Sequence, residues 1–351
     1  MGHPAYVPAA AIPSNAARTI NFTGMSKKLF STNRWKAYLK SRQRAQERNA
    51  KRRHKRARFR VYIKRRPKRR FFYHAVAPET FSIVQNPIAA IDFLNTLHYH
   101  APRYNLTIDL SNVKHLTSDA IAALVATLPQ LNTYVRGNLP IETASQKMLV
   151  ASGFFSHVRR MEPLPKDPYG QISQERSKQV QPDLAKELIH FGTRALGKEQ
   201  KCNAAYRVLI ESMLNTHNHA AQPKRKEQEQ WWATVYADRE RKRVCFTFVD
   251  TGVGIFQSVR LGKLRSLYRR VRITNDAKIL RDMLHGKVES STGIPYRGKG
   301  LPAIFKLSES DRIHSLVIVA NDVYGNVSSG EYKIQPVKFI GTLLYWEIEI
   351  K

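Results

Sequence analysis

The stretch Val244-Cys245-Phe246-Thr247-Phe248-Val249-Asp250-Thr251-Gly252-Val253-Gly254 carries the reading on which the fold turns. Positions 244–249 are β-branched, aromatic or otherwise apolar, the composition of a buried strand. The strand runs directly into D-x-G-x-G. A carboxylate therefore stands where the chain leaves the sheet, and two glycines let the backbone turn tightly beyond it. On the N-terminal side Trp231–Tyr236 has the same strand composition, and the charged segment Asp238–Lys242 separates the two runs. Antiparallel pairing as a hairpin is the expected outcome.

Working outward, two further segments carry chemistry. Glu211-Ser212-Met213-Leu214-Asn215 lies in a helical stretch from Asn203 to about His219. The spacing sets acid and amide one turn apart on one helix face. An Asn carbonyl suits Mg²⁺, which otherwise keeps water and phosphate oxygens around it, and a neighbouring Glu can orient or deprotonate an attacking group. Taken alone, the pair also reads as two solvated polar residues. Downstream, Arg297-Gly298-Lys299-Gly300-Leu301-Pro302 opens a helix, with Pro in the first turn where its missing N–H costs nothing. The glycines admit close backbone approach to a phosphate, the helix start offers free N–H groups, and Arg297 and Lys299 add cationic donors. In isolation it is equally a basic loop.

The order of these segments changes their weight. E-x-x-x-N on a helix, D-x-G-x-G after a strand, G-x-G-L before a helix and Gly341-Thr342 entering a late strand follow one another along the chain. Together they resemble the N, G1 and G2 boxes and terminal Gly-Thr of the GHKL superfamily of ATP-binding domains, shared by gyrase B, MutL, histidine kinases and anti-sigma serine kinases. The resemblance spans about residues 184–351. It implies a Bergerat-type α/β sandwich, a mixed sheet with helices on one face, that binds ATP and Mg²⁺. It implies that Glu211 activates water or a hydroxyl, that Asn215 is the Mg²⁺ ligand, and that Asp250 accepts a hydrogen bond from the adenine amino group with Thr342 in support. Gly252 and Gly254 would let the chain turn under the base. Gly298, Lys299 and Gly300 would belong to a lid over the phosphates, with Phe256–Tyr296 as a lid longer than in compact members. His190 lies where a histidine kinase carries its phosphoacceptor, but its neighbours lack that motif, and an ordinary interface histidine is the preferred reading.

Between about 71 and 165 short strands alternate with helices: Thr80–Val84, Ile88–Leu97, Leu106–Leu110, Ser118–Leu128, Thr133–Val135 and Glu142–Ser152 closed by Gly153. Such alternation argues a small α/β layer. Asn105–Leu124, NLTIDLSNVKHLTSDAIAAL, and Pro140–Phe155, PIETASQKMLVASGFF, resemble the STAS fold of anti-sigma-factor antagonists. In that family a strand ends in an Asp-Ser-Ser-Gly turn whose Ser is phosphorylated by a GHKL-type kinase. Here the matching turn is Thr117-Ser118-Asp119-Ala120, so Ser118 keeps the phosphoacceptor position without the rest of the motif. Helix capping by Ser118 is the simpler reading.

The 351 residues carry a formal charge of +32, from 59 Lys and Arg against 27 Asp and Glu. Residues 27–70 hold 21 of those cations and a single acid, Glu47, so most of the excess sits in one short segment. No Gly or Pro interrupts 33–59, whose composition favours a helix that folds once a polyanion neutralises it. Nucleic acid is the leading partner for 27–70, with Trp35, Tyr38, Phe59 and Tyr62 interleaved for stacking; an anionic membrane surface or an acidic protein is the alternative. Cys202 and Cys245 form no C-x-x-C and are expected to be reduced and buried. No apolar run is long enough for a membrane helix and the N-terminal stretch lacks the pattern of a signal peptide, so a cytoplasmic protein is expected.

The expected organisation is a basic, helical or disordered segment over 1–70, a STAS-like α/β domain over 71–170 and a GHKL-type domain over 182–351. The expected function is an ATP-binding regulator that couples Mg·ATP to engagement of a protein partner. A serine- or histidine-directed protein kinase, or a nucleic-acid-binding protein with a degenerate ATP site, are the alternatives.

Overall fold

A computed structural model describes residues 71–158, 170–175, 180–198, 202–219, 230–256, 275–287, 300–309 and 313–350, together with Ser41, Arg44 and Arg48. Contacts divide the chain into two units, Met1–Ile63 and Lys64–Lys351. In the first, the three described residues are helical, and Arg48 Nε donates to the Arg44 carbonyl at 3.2 Å. Most of the basic segment 27–70 lies outside the described residues.

The second unit is a mixed α/β structure that begins with a small layer. Strands β1 (Phe72–Val76), β3 (Asn105–Asp109) and β5 (Val135–Gly137) form a parallel sheet in the order β1-β3-β5, and β2 (Thr80–Phe81) pairs in parallel with β4 (His115–Leu116). Parallel neighbours need crossovers. Helices α1 (Pro87–His100) and α2 (Ser118–Thr127) supply them, and α3 (Thr143–Ala151) follows β5. Pro87 starts α1, where a missing N–H is harmless, and Ala90, Ile91, Leu94 and Leu97 line its buried face. Every residue of α2 is buried. A helix buried all round must lie between two layers.

The second layer is the five-stranded sheet β6-β7-β8-β10-β9, formed by β6 (Gly170–Glu175), β7 (Trp231–Asp238), β8 (Arg243–Asp250), β9 (Ile313–Asn326) and β10 (Glu331–Glu349). The expected hairpin is present, with Trp231 opposite Asp250 and Asp238 opposite Arg243. Helices α4 (Pro182–Ala195), α5 (Asn203–His219), α6 (Asp276–Leu284) and α7 (Gly300–Ser308) share a core with the face bearing Trp231, Phe246, Phe248, Leu344 and Trp346. The opposite face, with Trp232, Cys245, Val249, Leu343 and Tyr345, shares a core with α1 and α2.

This arrangement differs from expectation in three respects. The large sheet is antiparallel at every described pairing rather than mixed, because two of its junctions are hairpins and the β8–β10 and β6–β7 neighbours also run in opposite directions. Helices cover both of its faces, since the small layer occupies the one left over. The expected strand Thr80–Val84 stops at Phe81, because the Ile83 and Val84 amides donate to Asp119 Oδ2, at 2.6 and 3.1 Å, instead of to a sheet neighbour. Cys202 and Cys245 are free and buried, and burial pushes the Cys245 thiol up to about 11. Among the described residues no helix is long and apolar enough to cross a membrane.

Candidate functional site

Side-chain alternation places the D-x-G-x-G carboxylate. Phe246 and Phe248 face the α4–α7 core, so Asp250, two residues on, points to that same side. Thr342 is its direct partner on β10, and Trp231 its partner on β7. Leu344 and Trp346 face the same core, which puts the Thr342 side chain beside Asp250. Thr342 is buried, whereas Asp250 is half-buried.

The loop after Asp250 is held by its own residues. Gly252 N donates to Asp250 Oδ1 at 2.9 Å, and Thr251 donates through both its backbone N–H and its hydroxyl to the Gln230 carbonyl. Gly341 has φ +104, and a Cβ there would overlap the Asp250 carbonyl. Its glycine is therefore required both by conformation and by the close approach of β10 to β8. Gly254 has φ +79 and lies against the Asn321 side chain, whose Oδ1 a Cβ would approach to 2.6 Å.

Asn321 was not singled out by its sequence. It sits at φ 52 in β9, and its Nδ2 donates to the Val253 carbonyl at 3.1 Å, tying β9 to the glycine loop. Its Oδ1 is buried and has no partner among the described residues, which leaves an acceptor at the loop's edge. The available signal is Asn-Asp breaking the apolar run 316–320, since Asn is among the few non-glycine residues that accept positive φ.

Helix α5 presents Glu211 and Asn215 one turn apart. Burial pushes the Glu211 carboxyl above the usual range, opposed by the charge of Arg207 one turn earlier. A base with a raised pKa binds a proton closer to neutrality, which suits proton abstraction. The start of α7 meets this helix at Asn215: a Cβ on Gly300 would come within 2.6 Å of Oδ1 and 3.0 Å of Nδ2. Gly298 and Lys299 lie outside the described residues, as do Arg297 and most of the segment 256–296 between the glycine loop and α7.

The structure thus forms two groups on the α4–α7 side of the large sheet, Asp250 with Thr342, Gly252 and Gly341, and Asn215 with Gly300. A cavity lined by His98, Gln130, Thr251 and Phe339 lies instead between α1, α2 and the opposite face. Ser118 does not cap α2. Thr117 is the capping position and Ser118 the first helical residue, 8 % exposed. His190 is solvent-exposed on α4. Among the described residues no cluster of three or more His, Cys, Asp or Glu could hold a metal ion.

The chain matches no protein-family model and no curated protein.

Proposed function

We propose that residues 182–351 form a GHKL-type ATP-binding domain, and that Mg·ATP bound there governs how the chain engages a regulatory partner. The observation that carries this reading is the apposition of Gly300 to Asn215, because two motifs 85 positions apart in sequence meet where a magnesium-bound phosphate would need both. The pairing of Thr342 with Asp250 supports it from the other end of the site. So does the fit of the groups to the ligand: a carboxylate acceptor beside a hydroxyl suits an adenine amino group, and an amide oxygen suits the octahedral, oxygen-rich shell of Mg²⁺. Bound Mg²⁺ would neutralise phosphate charge.

Within this reading Asp250 accepts from the adenine amino group, and Thr342 orients that contact. Gly252 and Gly254 keep the loop low enough for the base to lie above it. Asn215 holds the metal through its side-chain oxygen, with Gly300 leaving room for the amide. Glu211 takes a proton from an attacking hydroxyl or water. Phosphoryl transfer asks little more of a protein than position and charge neutralisation. The STAS-like reading of 71–170 belongs to the same proposal, with α1 and α2 linking it to the nucleotide-binding sheet.

A titration with fluorescent ATP analogue in Mg²⁺ tests the site. Asp250→Asn should lose affinity for adenine nucleotides, and unchanged affinity removes the adenine role from Asp250. Incubation with γ-labelled ATP then locates the phosphoryl group. Label released as phosphate indicates hydrolysis, and label on an added protein indicates the kinase alternative. Glu211→Ala should retain nucleotide and abolish either outcome.

A further inference from the structure

Asn321 and Tyr324 stand three residues apart on β9 and tie it to two distant parts of the chain. Asn321 Nδ2 donates to the Val253 carbonyl in the glycine loop at 3.1 Å. Tyr324 belongs to the core shared with α1 and α2, and its hydroxyl donates to the Val84 carbonyl at 2.9 Å. Val84 lies in the turn after β2, where the Ile83 and Val84 amides donate to Asp119 in the first turn of α2. One short piece of strand thus holds the loop beyond Asp250 at one end and the small layer at the other.

That piece of strand is where the ladder is irregular. Ile334 pairs with Val323 and Phe339 with Asn321, so residues 335–338 of β10 lie opposite Asp322 alone, and a second register shift separates Phe339 from Thr342. Asn321 has φ 52, and Gly341, with φ +104, lies against the Asp250 carbonyl. The bulged part of β10 repeats the double attachment, because the Lys338 carbonyl accepts from Asn95 Nδ2 of α1 at 3.1 Å. Three of the seven buried side-chain atoms without a hydrogen-bond partner among the described residues fall here: Asn321 Oδ1, Asp322 Oδ1 and Gln335 Nε2. Buried polar groups are ordinarily paired, so this stretch is the part of the sheet held least firmly in one arrangement.

We propose that residues 321–324 of β9 and 334–341 of β10 couple the glycine loop to the small layer, so that a ligand which orders the loop tightens the turn Ser82–Val84 and the start of α2. The inference takes its ligand from the nucleotide reading of Asp250 and deepens that reading by naming how occupancy reaches the rest of the chain. Ordering the loop fixes the Val253 carbonyl and, through it, Asn321. Tyr324, on the same piece of strand, is then held over Val84, and the Ile83 and Val84 amides open less often. Coupling of this kind needs an element that both sites bias, and the irregular ribbon is bonded to both.

Hydrogen exchange of the full chain, read by mass spectrometry in the peptide spanning 82–86, tests it with and without Mg²⁺ and adenylyl imidodiphosphate. Saturation is set by competition against a fluorescent ATP analogue. Bound nucleotide should slow exchange of Ile83 and Val84 about fivefold or more, as coupled sites commonly do. Tyr324→Phe removes only a hydroxyl; it should bind nucleotide as the parent does and lose the added protection. In nucleotide-free protein Asn321→Gly, which accepts the positive φ but cuts the tie to Val253, should speed exchange in 82–86 and leave the β7–β8 hairpin as it was. That arm needs no ligand, so it judges the coupling even where no nucleotide binds, an outcome that would remove the ATP reading alone. The proposal is overturned if bound nucleotide leaves 82–86 unchanged, if Tyr324→Phe keeps the full protection, or if Asn321→Gly leaves 82–86 unchanged or speeds the hairpin equally.

Discussion

Gly300 stands against the side-chain amide of Asn215, so closely that a Cβ at position 300 would come within 2.6 Å of Oδ1. The contact joins the first residue of α7 to the last part of α5, and glycine is the residue that permits it. Gly300→Ala should displace the amide while leaving the helix itself intact. A hydrogen bond or ligand contact to a charged group is worth about 1.5–3 kcal/mol, so Mg·ATP affinity should fall about tenfold or more. Analogue titration with and without Mg²⁺ measures this, and an unaltered Mg²⁺-dependent affinity would separate Asn215 from the metal.

Glu211 is expected to set the acid limb of any ATP turnover. Burial raises its carboxyl above the ordinary 4.5, and Arg207 lowers it. Turnover should therefore fall as pH drops through a value above 4.5, where the base becomes protonated. Removing the opposing charge in Arg207→Gln should move that limb to still higher pH. A pH–rate profile that does not move in the variant would show that Glu211 is not the titrating base.

Gly192 tests how α4 seats on the large sheet. A Cβ there would overlap Val244 Cγ1 and approach Val235 Cγ2 to 2.7 Å. Alanine favours a helix interior over glycine by about 1 kcal/mol, while overpacking a tight core costs about 1–3 kcal/mol. The steric cost should win, and Gly192→Ala should lower stability by about 1 kcal/mol in urea denaturation. A stabilised variant would mean that the helix shifts freely on the sheet.

Asp119 ties α2 to the turn after β2. Its carboxylate accepts from Ile83 N, Val84 N and the Ser82 hydroxyl, and it is buried. Asp119→Ala leaves buried donors without an acceptor and should cost roughly 2 kcal/mol. Burial raises the carboxyl above its ordinary 3.8, so the folded chain keeps this proton to higher pH than the unfolded chain does. The stability linked to that proton is whole below pH 3.8 and is lost as pH rises through the raised value. Asp119→Asn, which cannot titrate, should flatten that part of the stability–pH curve; an identical curve in the variant would assign the slope to other groups.

Much of the large sheet was legible because its chemistry is local. The β7–β8 hairpin follows from two strand-forming runs and a charged turn, and the helix bearing Glu211 and Asn215 from an unbroken helix-forming stretch. The cover on the second sheet face was also written in the residues, though less plainly. Trp231 and Trp232 point to opposite faces and are both buried, and an apolar run without alternation is the mark of a strand packed on two sides. Nothing in that run says which segment supplies the second cover. The role of Asn321 was hidden for a similar reason, since its bond to Val253 joins residues 68 positions apart.

The sequence by itself determined the β7–β8 hairpin, the helix that carries Glu211 and Asn215, their i, i+4 spacing and the glycines that mark tight turns, because propensity, periodicity and backbone freedom act over a few neighbouring residues. Only the tertiary structure decided that Gly300 meets Asn215, that Thr342 stands beside Asp250, and that α1 and α2 close the far side of the sheet. Those outcomes depend on which distant apolar surfaces exclude water together, and that choice is made by the whole chain at once.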